Sequence, residues 1–174
     1  MIQPAPAPAP APTGPTQAQI AAARNRAVMR SGAKWLLWVA GLSLVNSVLF
    51  WTGSTWGFAI GLGLTDAANA FGQLVITGTT GLVIALFVDA LIAAGFVGLW
   101  QMAKQGAGWA FIVAMVVYGL DALLMLWATD WLSLAFHGLA LYFIFRGFQA
   151  CRALAAQAAI SVVPPGMAPP IHPR

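Results

Sequence analysis

GWAFIVAMVVYGLDALLMLWATDWLSLAFHGLALYFIFRGFQ, residues 108–149, decides the fold. From 108 to 128 the only charged residue is Asp121, and from 131 to 149 the only one is Arg146. Each run approaches or reaches the ~20 apolar residues that carry a helix across a bilayer core. Trp127 ends the first run and Trp131 begins the second, with Thr129 and Asp130 between them. Indole settles at headgroup level, where its ring is buried and its N–H stays wet. The stretch therefore reads as two transmembrane helices turning at one membrane face.

Two more apolar runs lie upstream, at about 35–51 and 79–103. All eleven prolines fall outside 16–163, so no span carries a proline kink. Tryptophan again marks the ends. Trp35 and Trp38 fall at one face, Trp51 and Trp56 at the other, and Trp100 and Trp109 return to the first. The expected fold is an all-α membrane protein, a four-transmembrane-helix bundle.

Composition points to the same solvent. The chain has 174 residues, 60% hydrophobic and only 7% charged, with a mean hydropathy of +0.82. A soluble domain carries about 25% charged residues, so this chain lacks the charge to cover a water-facing surface. The net charge of +4 is unevenly placed. Arg24, Arg26, Arg30 and Lys34 precede the first run, Lys104 lies between the second and third, and Arg146 and Arg152 lie at and beyond the end of the fourth. Four spans put all of these on the cytoplasmic side, with both termini inside. This placement encodes topology and offers no broad basic surface for nucleic acid.

Residues 52–78 are apolar enough to suggest a fifth span. A fifth span would move Lys104, Arg146 and Arg152 outside, against the positive-inside rule. The segment is therefore expected to lie in the outer interface or to re-enter it, with a glycine-rich helix over 55–73. In it, Thr65 and Asp66 read as a cap or a turn end. Residues 1–15 form a Pro-Ala tail of polyproline character, without the early charge and apolar core of a signal peptide. Residues 16–33 are expected to form a cytoplasmic amphipathic helix capped by Thr16, with Gly32 as a breaker and arginines facing anionic headgroups. Residues 151–174 are expected to be a cytoplasmic helix end and a Pro-rich tail. Cys151, the single cysteine, reads as structural.

Polar residues inside spans are costly and turn inward. The spans carry Asn46, Asp89, Asp121 and His137 in turn. Counted from the tryptophans and span ends at about 1.5 Å per residue, all four lie roughly 8–15 Å below the outer face. Ser43 and Ser47 share a helix face with Asn46, Tyr118 is one turn from Asp121, and Ser133 one turn from His137. Three chemistries fit such a layer. One is a satisfied hydrogen-bond network that fixes helix register. The second is a proton or ion site built on Asp and His. The third is a metal site from Asp89, Asp121 and His137, although three separate helices supply those ligands without a spacing signature. Ala90, Ala94 and Gly98 form a four-residue-spaced stripe on the second span, the kind that lets helices approach closely.

Enzymatic motifs are absent. There is no G-x-x-x-x-G-K-[ST], no G-x-S-x-G and no H-E-x-x-H, and the chain has no glutamate. No cofactor is expected. GAKWLLWVAGLSLVNSVLF (32–50), GFAIGLGLTD (57–66) and DWLSLAFHGLALYFIFRGFQA (130–150) resemble segments of uncharacterised small polytopic inner-membrane proteins of bacteria. The resemblance covers 31–150; it implies a bacterial cytoplasmic (inner) membrane and no particular activity. The expected role is a structural or accessory subunit acting through lateral helix packing, with the bilayer, a larger membrane complex or its own copies as partners. The alternative is a small transporter or proton-linked protein that uses the polar layer.

Overall fold

The computed structural model describes residues 14–52 and 79–162. The segment expected to be interfacial and most of both Pro-rich tails lie outside the described residues, as do Trp56 and Asp66. The described residues are all helix and turn, with no strand. Four helices follow one another: α1 Gln17–Trp51, α2 Thr79–Lys104, α3 Gly108–Trp127 and α4 Trp131–Val162. All four are long and apolar enough to cross a membrane.

α1 begins on a reciprocal cap. The Gln19 amide donates to Thr16 Oγ1 (3.3 Å) and the Thr16 amide to Gln19 Oε1 (2.8 Å), which satisfies two otherwise orphaned donors. From there α1 runs unbroken through Gly32, so residues 16–33 and the first span are one helix of 35 residues. Glycine carries a helix penalty of about 1 kcal/mol, and packing decides the outcome here. Gly32 lies against Gly147 of α4. A methyl group on Gly32 would stand 2.6 Å from the Gly147 Cα and 2.8 Å from the Phe143 carbonyl oxygen. A methyl group on Gly147 would stand 2.9 Å from both the Gly32 Cα and Phe111 Cε1. The α1 and α4 backbones thus touch where both side chains are hydrogen. One turn on, Trp35 stacks on Phe143 at 4.8 Å and 5°. As numbers rise along α1 they fall along α4, so the two helices are antiparallel.

Three-residue turns join α2 to α3 and α3 to α4, which makes those pairs antiparallel too. Both turns close in the same way. After α2, the Gly106 amide donates to the Ala103 carbonyl and the Ala107 amide to Met102, with Gly106 left-handed at φ 94°. After α3, the Thr129 amide donates to Leu126 and the Asp130 amide to Met125, with Thr129 at φ 57°. This is the Schellman pattern that satisfies the last carbonyls of a helix. Threonine is an unusual choice there, because its branched Cβ crowds the left-handed backbone.

The helices form a ring in chain order. α1 packs on α2 and α4, α4 on α3, and α2 on α3 along the thinnest seam. Small residues fill the inside: Ala33, Ala40, Ala93, Ala103, Ala110, Ala114 and Ala140 are buried, with Leu36, Phe96, Phe111 and Ile144 among them. Large aliphatic and aromatic residues face outward, including Phe87 (69% exposed), Leu120, Leu132 and Trp127 (86%). A water-soluble bundle has the reverse arrangement, since burying large side chains drives its folding. In lipid the exterior is apolar by default and small residues let helices close up.

Two expectations change here. The Ala90–Ala94–Gly98 stripe is exposed, and a methyl group on Gly98 would meet nothing within 4 Å. It therefore packs on no neighbour in the bundle. α2 turns Asp89, Ala93, Phe96 and Ala103 inward instead, because the bundle buries the face that carries the carboxylate. The second change is the join of 16–33 to the first span: the glycine read as a breaker sits where the α1 and α4 backbones touch.

Candidate functional site

The buried polar residues of the described structure are Ser43, Asn46, Ser47, Asp89, Asp121, Ser133 and His137, all between 0% and 8% exposed. Tyr118 is fully buried among them. Each helix supplies at least one: α1 gives Ser43, Asn46 and Ser47, α2 gives Asp89, α3 gives Tyr118 and Asp121, and α4 gives Ser133 and His137. Elsewhere the ring interior is hydrocarbon, so these side chains are where chemistry is possible.

His137 is the centre. Its Nδ1 lies 2.7 Å from the Ser133 carbonyl oxygen, one turn back along α4. A carbonyl only accepts, so Nδ1 carries a hydrogen and donates. Its Nε2 lies 2.9 Å from Asp121 Oδ2 on α3, with both side chains almost wholly buried. With Nδ1 committed as a donor, this second contact needs a proton of its own. Either the imidazole carries two hydrogens and faces a carboxylate, or Asp121 is protonated and donates to Nε2. A neutral imidazole against an ionised Asp121 would set two lone pairs against each other. The pair as built therefore holds one shared proton and is neutral as a unit, which is how a charge survives in low dielectric. Tyr118 lies flat on the imidazole, with centroids 4.4 Å apart and planes 15° apart. It seals one face of the ring.

Position along the chain explains the meeting. Asp121 lies six residues before Trp127, and His137 lies six after Trp131. A three-residue turn joins the two helices. Equal distances from one tight turn bring the two side chains to one level, and burial brings them to one face.

Ser133 has two tasks. Its hydroxyl donates to Asp130 Oδ2 (2.6 Å) and its amide to Asp130 Oδ1 (3.1 Å), which makes Asp130 the N-cap of α4. Its carbonyl accepts from His137. The hydroxyl and then the amide of Ser133 hold the largely exposed Asp130 carboxyl below the ordinary carboxylate range. Residues 130, 133 and 137 thus form a ladder from the membrane surface to the buried pair. A carbonyl accepts a proton's hydrogen bond but does not relay the proton, so the ladder orients the imidazole and conducts nothing. The cap role of Asp130 was visible in the sequence only as an Asp before an apolar run, three residues ahead of a serine.

On α1, the Ser43 hydroxyl donates to the Val39 carbonyl (2.8 Å) and the Ser47 hydroxyl to the Ser43 carbonyl (3.1 Å). Both bonds return to the helix one turn back. They let α1 bury two hydroxyls against its own backbone. Asn46 and Asp89 are buried at 7% and 1% exposed on α1 and α2, helices that pack on one another.

Among the described residues no three His, Cys, Asp or Glu side chains gather closely enough to hold a metal ion. Asp121 and His137 meet, but Asp89 does not complete a ligand set with them, so the metal reading loses its geometry. Cys151 is buried, and its thiol donates to the Gly106 carbonyl (3.1 Å), tying α4 to the α2–α3 turn. No family model, curated protein or solved structure matches this chain.

Proposed function

We propose that the chain is a multi-pass protein of the bacterial cytoplasmic membrane, with both ends inside, that works by lateral association as a structural or accessory subunit. The observation that carries this is the outward face of α2. Ala90, Ala94 and Gly98 lie one turn apart on the outside of the ring, flanked by Phe87 and Leu91 (63% exposed). A helix seldom presents its flattest side to lipid when larger residues would cover more surface, and such faces favour a second helix at short range. The orientation is supported by charge: Arg24, Arg26, Arg30, Lys34, Lys104, Arg146 and Arg152 all lie toward one end, and Asp130 toward the other.

Cross-linking in native membranes tests this. In a Cys151→Ser background, Ala94→Cys and Gly98→Cys should give a discrete cross-linked species, with a second copy or with a larger complex. Leu120→Cys on the outward face of α3 should give none. Equal yields at both faces, or no product at either, would remove the proposal.

A second reading has one specific observation behind it, the buried contact of Asp121 with His137 across two helices. A buried pair holding a proton between two helices is the part that a proton-linked transporter needs. Asp121→Asn separates the readings. The amide donates to Nε2 and keeps the contact, while the shared proton is gone. Proton flux in liposomes that disappears in a folded Asp121→Asn protein supports the transporter; a wild-type protein with no flux leaves the pair as a structural link.

A further inference from the structure

The bundle is stepped at one end. α2 stops at Lys104 and α3 starts at Gly108, level with Cys151 of α4 through the thiol contact to Gly106. α4 continues from there to Val162, and α1 approaches the same end from Gln17. The paired ends of α1 and α4 stand above the α2–α3 turn, and a groove of about 910 Å³ lies in the angle.

The groove's walls are cationic. Arg26, Arg30 and Lys34 line it from α1, each four residues from the next, and Lys104 lines it from the last turn of α2. Like charges at this spacing repel along a helix. Among the described residues no carboxylate lies close enough to offset them. Asp121 faces His137 deep in the bundle. Asp89 lies fifteen residues before Lys104 and Asp121 thirteen after Gly108. At about 1.5 Å per residue each is some 20 Å down the bundle, more than twice the ~8 Å screening length of physiological salt. The groove floor is apolar: Met29 is buried and Leu154 half-buried. Trp100 forms its membrane-side edge, with the Lys104 ammonium 4.0 Å above the ring. Trp100 and Trp109 flank the turn, the level at which indoles meet headgroups.

We propose that this groove is a binding site for the phosphate of an anionic phospholipid, with Arg26, Arg30, Lys34 and Lys104 around the headgroup and the apolar floor against the glycerol and upper chain. Four cations with no described carboxylate near them, at headgroup depth and above an apolar floor, match that amphiphile and no apolar one. Three cations from α1 and one from α2 meet on the same headgroup, so the lipid bridges those helices at the cytoplasmic face. This holds whatever packs on the outward face of α2.

The full-length chain in detergent, titrated with lipid and read by native mass spectrometry, tests it. Phosphatidylglycerol should bind one to one and outlast phosphatidylcholine. Near a membrane surface each cation contributes about fivefold in affinity, so Arg30→Gln with Lys104→Gln should weaken binding about 30-fold. Arg24→Gln with Arg152→Gln removes the same charge outside the groove and should change it less than about twofold. Arg30→Lys with Lys104→Arg should restore binding. Equal losses in the two double-glutamine variants would reduce the effect to bulk charge and overturn the site. Equal retention of phosphatidylcholine would overturn it as well. Pyrophosphate binding as tightly as the lipid would make it a soluble-anion site and overturn the lipid assignment.

Discussion

Alanine at Gly32 is the sharpest probe of the ring. The added methyl group would stand 2.6 Å from the Gly147 Cα, 2.9 Å from the Gly147 nitrogen and 2.8 Å from the Phe143 oxygen. Carbon atoms rest at about 3.5–4.0 Å, so α1 and α4 must part by about 1 Å where they now touch. Every contacted atom is backbone, and no rotamer change relieves it. Overpacking of this kind costs about 1–3 kcal/mol, and separation also loosens the Trp35–Phe143 stack one turn away. Against this, alanine gains about 1 kcal/mol in helix propensity. The net expectation is a loss of up to about 2 kcal/mol. Gly41 and Gly138 provide the contrast, because a methyl group on either meets nothing within 4 Å. Gly41→Ala and Gly138→Ala should stabilise by up to about 1 kcal/mol. Thermal and denaturant unfolding of the purified protein in detergent gives all three values. Gly32→Ala as stable as Gly41→Ala would refute the backbone contact and with it the closure of α1 on α4.

Thr129→Gly should raise stability by about 1 kcal/mol, since it relieves a branched residue at φ 57° while keeping both turn bonds; a drop in melting temperature would show that the threonine side chain stabilises the turn in some other way. Asp130→Ala should cost about 1 kcal/mol as a lost N-cap, and Asp130→Asn a few tenths. Because Asp130 has its carboxyl held below the ordinary range, its contribution is full above the unfolded value near 3.9 and fades as pH falls through the lower folded value. Melting temperature followed from about pH 5 down should therefore fall more steeply in the wild type than in Asp130→Asn. Asp121→Leu should cost about 1–3 kcal/mol or more, because it strands the buried His137 Nε2, whereas Asp121→Asn should cost less; equal losses would show that the Nε2 contact contributes little.

The tight hairpin at Trp127–Trp131 was fully legible in the sequence, because two apolar runs, paired indoles and a Thr-Asp turn all point to one geometry. Burial of Asn46, Asp89, Asp121 and His137 was legible for an energetic reason: hydrocarbon leaves a polar side chain only the bundle interior. Their depth could be counted, and that count brought Asp121 level with His137. Azimuth could not be counted. Ala90, Ala94 and Gly98 share a face that periodicity alone cannot assign to a neighbour or to lipid, and the Asp89 side of α2 won the interior. Gly32 and Gly147 each look like a weak point when read alone. Their complementarity exists only after the first and last helices are side by side, and no local rule reaches that far along a chain.

The ring's closing seam also sets an order of events in the cell. Asp121 reaches the bilayer before His137 has been made, and an unaccompanied aspartate at helix centre costs about 2.5–3.5 kcal/mol on insertion. The three-residue turn between α3 and α4 keeps that exposure short, because His137 follows on the next helix. α1, the first to be synthesised, waits longest: its glycine has no counterpart until Gly147 emerges near the end of the chain. A chain made only as far as Lys104 would hold α1 with α2 alone, and the Gly32 face would stay open until the last helix brings Gly147.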